Sequence, residues 1–515
     1  MLDAAVQNAT VSCGVPMMTE TQTESPAGRP PATAAYLARL LAGPVAFAVV
    51  LSLPLALSYE GRIALATFAC AIVWWMTQPL PWSVAAMLPF LVFPATGIMD
   101  IRATMGLYGQ PIFFWIMGTV LMGYAIEKHG LANRFALAFL ALPGIGGKTY
   151  RLTFVYMLIV GIVSMFVSDA ATIAMMIPIG MSLVRHVRTL VGAAPNAKTN
   201  FGTFITLGTF YGAIAGGTAT ILGIPHNAIA VSLLERLTGR QLGFFEWMMV
   251  GVPVFLSLLV TFYVTLWILA RPEISDLPGG EALLRAERAK LGLLGADERR
   301  VLFVFAMMVL LFTLPALTGL VLGAPHAITQ WVTRALPVWV VPPAVMFLLF
   351  SIRSASDSGA PLLSWKDAQE HAPWDVMLLV AGAVAMTDAV TQFGFVEFMG
   401  EIVGNLGIGA TALPYFTAAL VAATTNLISG TAAATLYCSI FIPAAVEIGY
   451  NPASIAMLIA NVALGLVVPW SGAVAATAFA CGEVSMERMI KIGIVATVAF
   501  TGIVATIHVM MSGLL

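Results

Sequence analysis

Apolar runs follow one another along this chain with little between them. They lie near residues 43–58, 62–79, 83–98, 111–127, 132–143, 152–167, 170–184, 200–222 and 244–270. A polar stretch at 271–300 interrupts the series, which resumes near 301–322, 336–352, 375–392, 408–428, 431–447, 453–480 and 488–511. A helix that crosses a bilayer needs roughly 20 predominantly apolar residues. Several runs are shorter than that, or are broken by proline, as at Pro89 and Pro94. The pattern predicts an all-α polytopic membrane protein with about 11 transmembrane helices plus two re-entrant hairpins.

The organisation reads as a disordered tail (1–42), a first membrane repeat (43–270), a polar linker helix (271–300) and a second membrane repeat (301–515). The first 35 or so residues are rich in Thr, Ala, Pro and Ser, a composition that cannot bury a core. They lack the charged segment followed by an apolar run that marks a secretory signal. The linker carries Arg271, Arg285, Arg288, Lys290, Arg299 and Arg300. That places it on the cytoplasmic side of an inner membrane. Its charge spacing over 281–290 reads as a solvated surface helix rather than a binding element.

The two halves share a pattern. Gly118, Val120, Met122, Ala125 and Gly130 match Gly382, Val384, Met386, Ala389 and Gly394 in one ungapped register. About 50 residues after each start, an apolar run ends in small polar residues: Ser168-Asp169-Ala170-Ala171-Thr172, then Ser429-Gly430-Thr431-Ala432-Ala433. A second apolar run follows, holding Pro178 or Pro443, and then a Gly-rich interruption at 216–223 or 465–472. One matched glycine is coincidence; an ordered series points to a duplication. Paired broken helices in duplicated halves are the pattern of secondary transporters. Small-residue helix packing is the plainer explanation of such motifs, and breaks at matching places in both halves weigh against it.

The physics of a break supplies the chemistry. Unpaired backbone groups in hydrocarbon cost several kcal/mol each, so breaks persist only where they line an enclosed cavity. Free N–H groups at helix N-termini favour an anion, and exposed carbonyls at other helix ends can ligate a cation. The predicted substrate contacts are Ser168, Asp169, Ala170, Thr220, Asn227, Ser429, Gly430 and Thr431. The predicted contacts for a coupling cation, sodium or a proton, are Ser164, Asp169, Gly217, Ala219, Thr425, Gly430 and Gly472.

Composition narrows the alternatives. The chain is 60% hydrophobic and 10% charged, against about 25% charged in a soluble domain. Its net charge of -1 offers nothing to nucleic acid. Cys13, Cys70, Cys438 and Cys481 show no paired or metal-ligand spacing. No phosphate-binding loop is present, so ATP-driven transport is not supported. No cofactor is expected beyond the coupling ion. An intramembrane hydrolase using Ser429 or Ser471 with His226 as base lacks the supporting third group that nucleophilic catalysis needs. A channel is the other alternative, and a duplicated core with hairpins favours alternating access over it.

At these residues the chain resembles the divalent anion:sodium symporter family. The resemblance runs from about residue 43 to the end. It rests on Trp74-Trp75-Met76-Thr77-Gln78-Pro79-Leu80-Pro81, on Phe93-Pro94-Ala95-Thr96-Gly97-Ile98-Met99, and on Ile112 to Arg134. It rests also on the tips at Ser168 and Ser429, on Gly216 to Ile229, and on Pro469 to Gly482. It implies a homodimer, a fixed scaffold and a mobile transport part that moves like an elevator. It also implies dicarboxylate, citrate or sulfate as cargo, driven by sodium or by exchange.

The sequence departs from the family at the site itself. Asp169 stands for the asparagine of the first tip, Ala170 for its threonine, and Gly430 for the asparagine of the second tip. His226 replaces one proline of the first unwound helix, while Pro225 and Asn227 remain. Ala473-Val474-Ala475 replaces Pro-Pro-Asn in the second unwound helix. Four readings of Asp169 are open: a stronger cation ligand, a proton carrier, a partner for a positive group on the substrate, or a helix N-cap. Gly430 leaves the second tip with a weaker cation site, or none. His226 reads either as a hydrogen-bonded structural group or as a proton relay.

Overall fold

The computed structural model describes residues 33–194, 197–323, 325–356, 359–394, 409–426 and 428–514. Most of the expected tail, residues 1–32 with Cys13, lies outside them. No strand occurs among the described residues; the chain there is helices joined by short turns.

The tail ends earlier than its composition suggests, because Thr33–Ser52 is one helix containing Pro44. A proline lacks the N–H that would bond the carbonyl four residues back, which is Leu40. The Trp74 indole N–H donates to that Leu40 carbonyl at 2.9 Å. Gly43 makes the approach possible: a Cβ there would lie 2.3 Å from Trp74 Nε1. The proline thus creates the acceptor by which this helix docks on Tyr59–Thr77.

Among the described residues, eight helices are long and apolar enough to cross a membrane, and six shorter apolar helices accompany them. Their outward faces stay apolar: Ile268, Leu320 and Val498 are all exposed. Apolar surface on this scale faces lipid rather than water. Polar side chains cap the starts. Asp100, Thr199 and Ser485 each accept an N–H three residues on, which satisfies one orphan donor of the first turn.

Two helix–turn–helix units stand at corresponding places. Thr149–Ser164 turns into Asp169–Leu190, and Leu413–Thr425 turns into Gly430–Glu447. Each is followed by an interrupted helix: Asn200–Gly217 with Pro225–Thr238, and Pro452–Val462 with Ala473–Ala480. In the first unit the arm lies unusually close to its interrupted helix, since a Cβ on Gly216 would fall 2.0 Å from the Gly161 carbonyl oxygen. Fully buried Tyr156 donates to Met176 O at 2.9 Å and meets Thr209 Oγ1 at 2.8 Å, so one side chain joins arm, tip helix and interrupted helix.

The halves are interleaved rather than side by side. A Cβ on Gly118 would lie 2.6 Å from the backbone of Pro342, and one on Gly382 would lie 2.0 Å from Ala86 O. Gly430–Glu447 packs on Pro225–Thr238, and Asp169–Leu190 packs on Ala473–Ala480. Within residues 271–300, Gly280–Lys290 is helical. It is docked, not free. Arg134 donates to the carbonyls of Leu291, Gly292 and Leu293 and to Glu298, while Glu281 accepts the Gly144 N–H at 2.9 Å.

Candidate functional site

Ser168 opens the first tip in an extended conformation, φ −52° and ψ 146°, and its Oγ accepts the Ala171 N–H at 3.4 Å. The cap position weighed for Asp169 therefore belongs to Ser168. Asp169 is the first helical residue, and its carboxylate accepts the Ala170 N–H at 2.9 Å. A negative charge is favoured there by the free N–H groups of the first turn. Ser168 and Asp169 are half-buried and Ala170 is exposed.

The first break runs from Thr218 to Ile224. Asn227 holds it: its side-chain amide donates to Gly217 O at 2.8 Å and to Thr220 O at 2.7 Å. The Thr220 hydroxyl donates to the Met165 carbonyl at the end of the hairpin arm. These bonds bring together Met165, Gly217, Thr220 and Asn227, and Ser164 precedes Met165 as the last residue of the arm. Two oxygens among them, Ser164 Oγ and Asn227 Oδ1, are buried with no hydrogen-bond partner. Buried polar atoms in native proteins are nearly always paired, and exceptions ask for an explanation such as a bound ion. Ala219 sits differently, with its carbonyl 2.6 Å from where a Gly251 Cβ would be. The neighbouring Thr218 carbonyl accepts the Trp247 indole N–H at 3.0 Å.

The second tip has the same cap. Ser429 lies at φ −66° and ψ 151°, and its Oγ accepts the Ala432 N–H at 3.2 Å. It is more enclosed, with Ser429 buried and Gly430 and Thr431 half-buried. Thr425 is fully buried and donates to Val421 O at 2.6 Å, leaving its lone pairs for an acceptor role. Gly430 is required by space. A Cβ there would lie 2.4 Å from Ala463 O and 3.2 Å from His226 Cε1. His226 and Asn227 thus face different tips: Asn227 ties the first break to the first arm, and His226 touches the second tip.

Asn426 was not anticipated from the sequence. Its Oδ1 accepts the Val467 N–H at 3.0 Å, in the middle of the second break. It ties that break as Asn227 ties the first, and its place three residues before Ser429 was the available signal. Ser471 reaches Gly465 O at 2.9 Å and Val468 O at 2.7 Å and tightens the same segment. Gly472 has φ 174°, ordinary extended backbone, with open space around it.

Neither tip holds Lys or Arg. An anion seated there meets hydroxyls and helix N-termini. No cluster of three or more His, Cys, Asp or Glu side chains able to hold a metal occurs among the described residues. A cation at these breaks would be held by hydroxyl, amide and carbonyl oxygens, the donors that hard cations take.

The chain is similar in sequence to known transporters. The sodium-dependent dicarboxylate transporter SdcS of Staphylococcus aureus strain NCTC 8325 is 27% identical over 474 residues, covering 90% of this chain and 88% of the relative. The same transporter from the bovine strain RF122 matches to the same extent. Among solved structures, the YdaH transporter of Alcanivorax borkumensis superposes with a TM-score of 0.47 at 13% identity, covering 92% of this chain and 96% of that one. The profile of the sodium:sulfate symporter transmembrane region matches residues 34–515. The chain is a multi-pass membrane transporter, not an enzyme, and it belongs to the divalent anion:sodium symporter family.

Proposed function

We propose that this protein carries small dicarboxylates across the bacterial inner membrane, coupled to sodium and moving by an elevator. One observation carries the reading: the unpartnered oxygens of Ser164 and Asn227 lie where a tip and an unwound helix meet. Oxygen donors without cationic side chains suit a sodium ion, and a bound sodium offsets the charge of an anion beside it. The likeness to sodium-dependent dicarboxylate transporters supports the choice of ion and cargo. An inverted repeat with two re-entrant hairpins fits the paired helix–turn–helix units, each followed by an interrupted helix. A homodimer is the corresponding assembly. Asp169, at the half-exposed tip, strengthens the first cation site or carries a proton in its place. With Gly430 removing a side-chain ligand, Thr425 and backbone carbonyls would hold a weaker second one.

The test is uptake of labelled succinate into proteoliposomes of the purified protein. Uptake should require an inward sodium gradient and should rise with unlabelled succinate inside. Uptake that ignores sodium in favour of a proton gradient would reassign the coupling ion. Sulfate uptake without succinate uptake would reassign the cargo. Asp169→Asn should shift the sodium dependence if Asp169 ligates the cation, and the pH dependence if it carries the proton.

A further inference from the structure

His226 is 8% exposed, and its Nε2 has no hydrogen-bond partner. Leaving such a group unpaired is unfavourable, and a hydrophobic side chain of the same shape would avoid the loss. Its surroundings say what it is positioned for. The ring edge formed by Cε1 and Nδ1 lies 3.2 and 3.3 Å from the Cβ position of Gly430. The ring therefore stands against the first residue of Gly430–Glu447, at the end where unpaired N–H groups point outward. It also belongs to the first turn of Pro225–Thr238, so two helix N-termini meet at this imidazole. Any side chain at 430 would displace it, and Ala463 O closes the space from the other side at 2.4 Å. Asn227, the next residue, is fixed by its bonds to Gly217 and Thr220. His226 is thus held in place by its neighbours while its Nε2 stays unused by them.

We propose that His226 is a specificity-determining substrate contact, whose neutral imidazole donates a ring N–H to one carboxylate of a dicarboxylate seated at the second tip. A neutral imidazole offers one donor and one acceptor, so the contact requires no change of charge. Gly430 and His226 then act as a pair: the absent side chain at 430 makes room for the ring, and the ring supplies the donor. Ser429 and Thr431 complete the contact from the tip. This inference rests on the dicarboxylate reading above.

The experiment is ligand binding to the purified full-length protein in detergent, followed by thermal shift and calorimetry with succinate and with sodium alone. His226→Leu fills the ring's space without a donor, and His226→Gln restores an N–H donor. Succinate affinity should fall about tenfold to a hundredfold in His226→Leu, the loss of one hydrogen bond to a charged group. It should recover most of that in His226→Gln, while the shift with sodium alone stays at the wild-type value in both. Wild-type affinity in His226→Leu would overturn the contact. So would equal loss in both variants accompanied by loss of the sodium shift, which would mark a packing role. Failure of the wild-type protein to bind succinate at all would overturn the dicarboxylate reading itself, and this inference with it.

Discussion

Among single residues, Arg188 and Glu483 are the most deeply committed charges. The guanidinium Nη2 lies 2.6 Å from each carboxylate oxygen, and the side chains are only 9% and 5% exposed. Arg188 also donates to Ala197 O at 3.0 Å, so the end of Asp169–Leu190 is fastened both to the segment before Asn200–Gly217 and, through Glu483, to the turn before Met486–Met511. A buried pair returns little net stability over an apolar replacement, but removing one partner strands the other. Glu483→Ala should therefore destabilise the protein by about 3–5 kcal/mol. Replacing both residues by leucine should cost markedly less. Thermal unfolding of the three variants in detergent checks the order. Equal losses in the single and double variants would contradict it.

Elements show best what was legible in advance. The positions of both tips, both breaks and the linker helix followed from hydropathy and small-residue spacing. Those signals are local and set by the membrane. The first helix was missed over 33–42 because its docking depends on a carbonyl that Pro44 frees and on Trp74, thirty-four residues on. Ser168 rather than Asp169 proved to be the cap because both residue types cap well, and only φ and ψ separate them. Asn426 was missed for a similar reason, since its partner Val467 lies forty-one residues on, in the second break. Gly43→Ala should undock the first helix, because the added methyl falls inside the Trp74 ring contact. Spin labels on Thr33–Ser52 and Tyr59–Thr77 should give a broadened distance distribution in this variant and a narrow one in the wild type.

Across the whole molecule, distant parts of the chain complete one another. Lys128 at the end of Pro111–Lys128 pairs with Asp367 at 2.8 Å, and Tyr124 stacks on His371 with ring centroids 3.6 Å apart. Burial alone would raise the Asp367 carboxyl. The Lys128 ammonium and the Ser364 hydroxyl and N–H outweigh that and bring it from its ordinary 3.8 to about 2. A carboxyl lowered by folding stabilises the fold above its unfolded value and stops doing so as pH falls through its folded one. The stability difference between wild type and Asp367→Asn should be constant above about pH 5 and should close between about pH 4 and pH 2. Melting curves across that range test it, and a gap that persists at low pH would exclude the ion pair as its cause. The reciprocal fit of Gly118 against Pro342 and of Gly382 against Ala86 also bears on how the protein is made. During synthesis the groove at Gly118 emerges long before the helix that fills it. The contacts at Gly118 and Gly382 can therefore close only after both halves have been made, so the core of the protein is completed late.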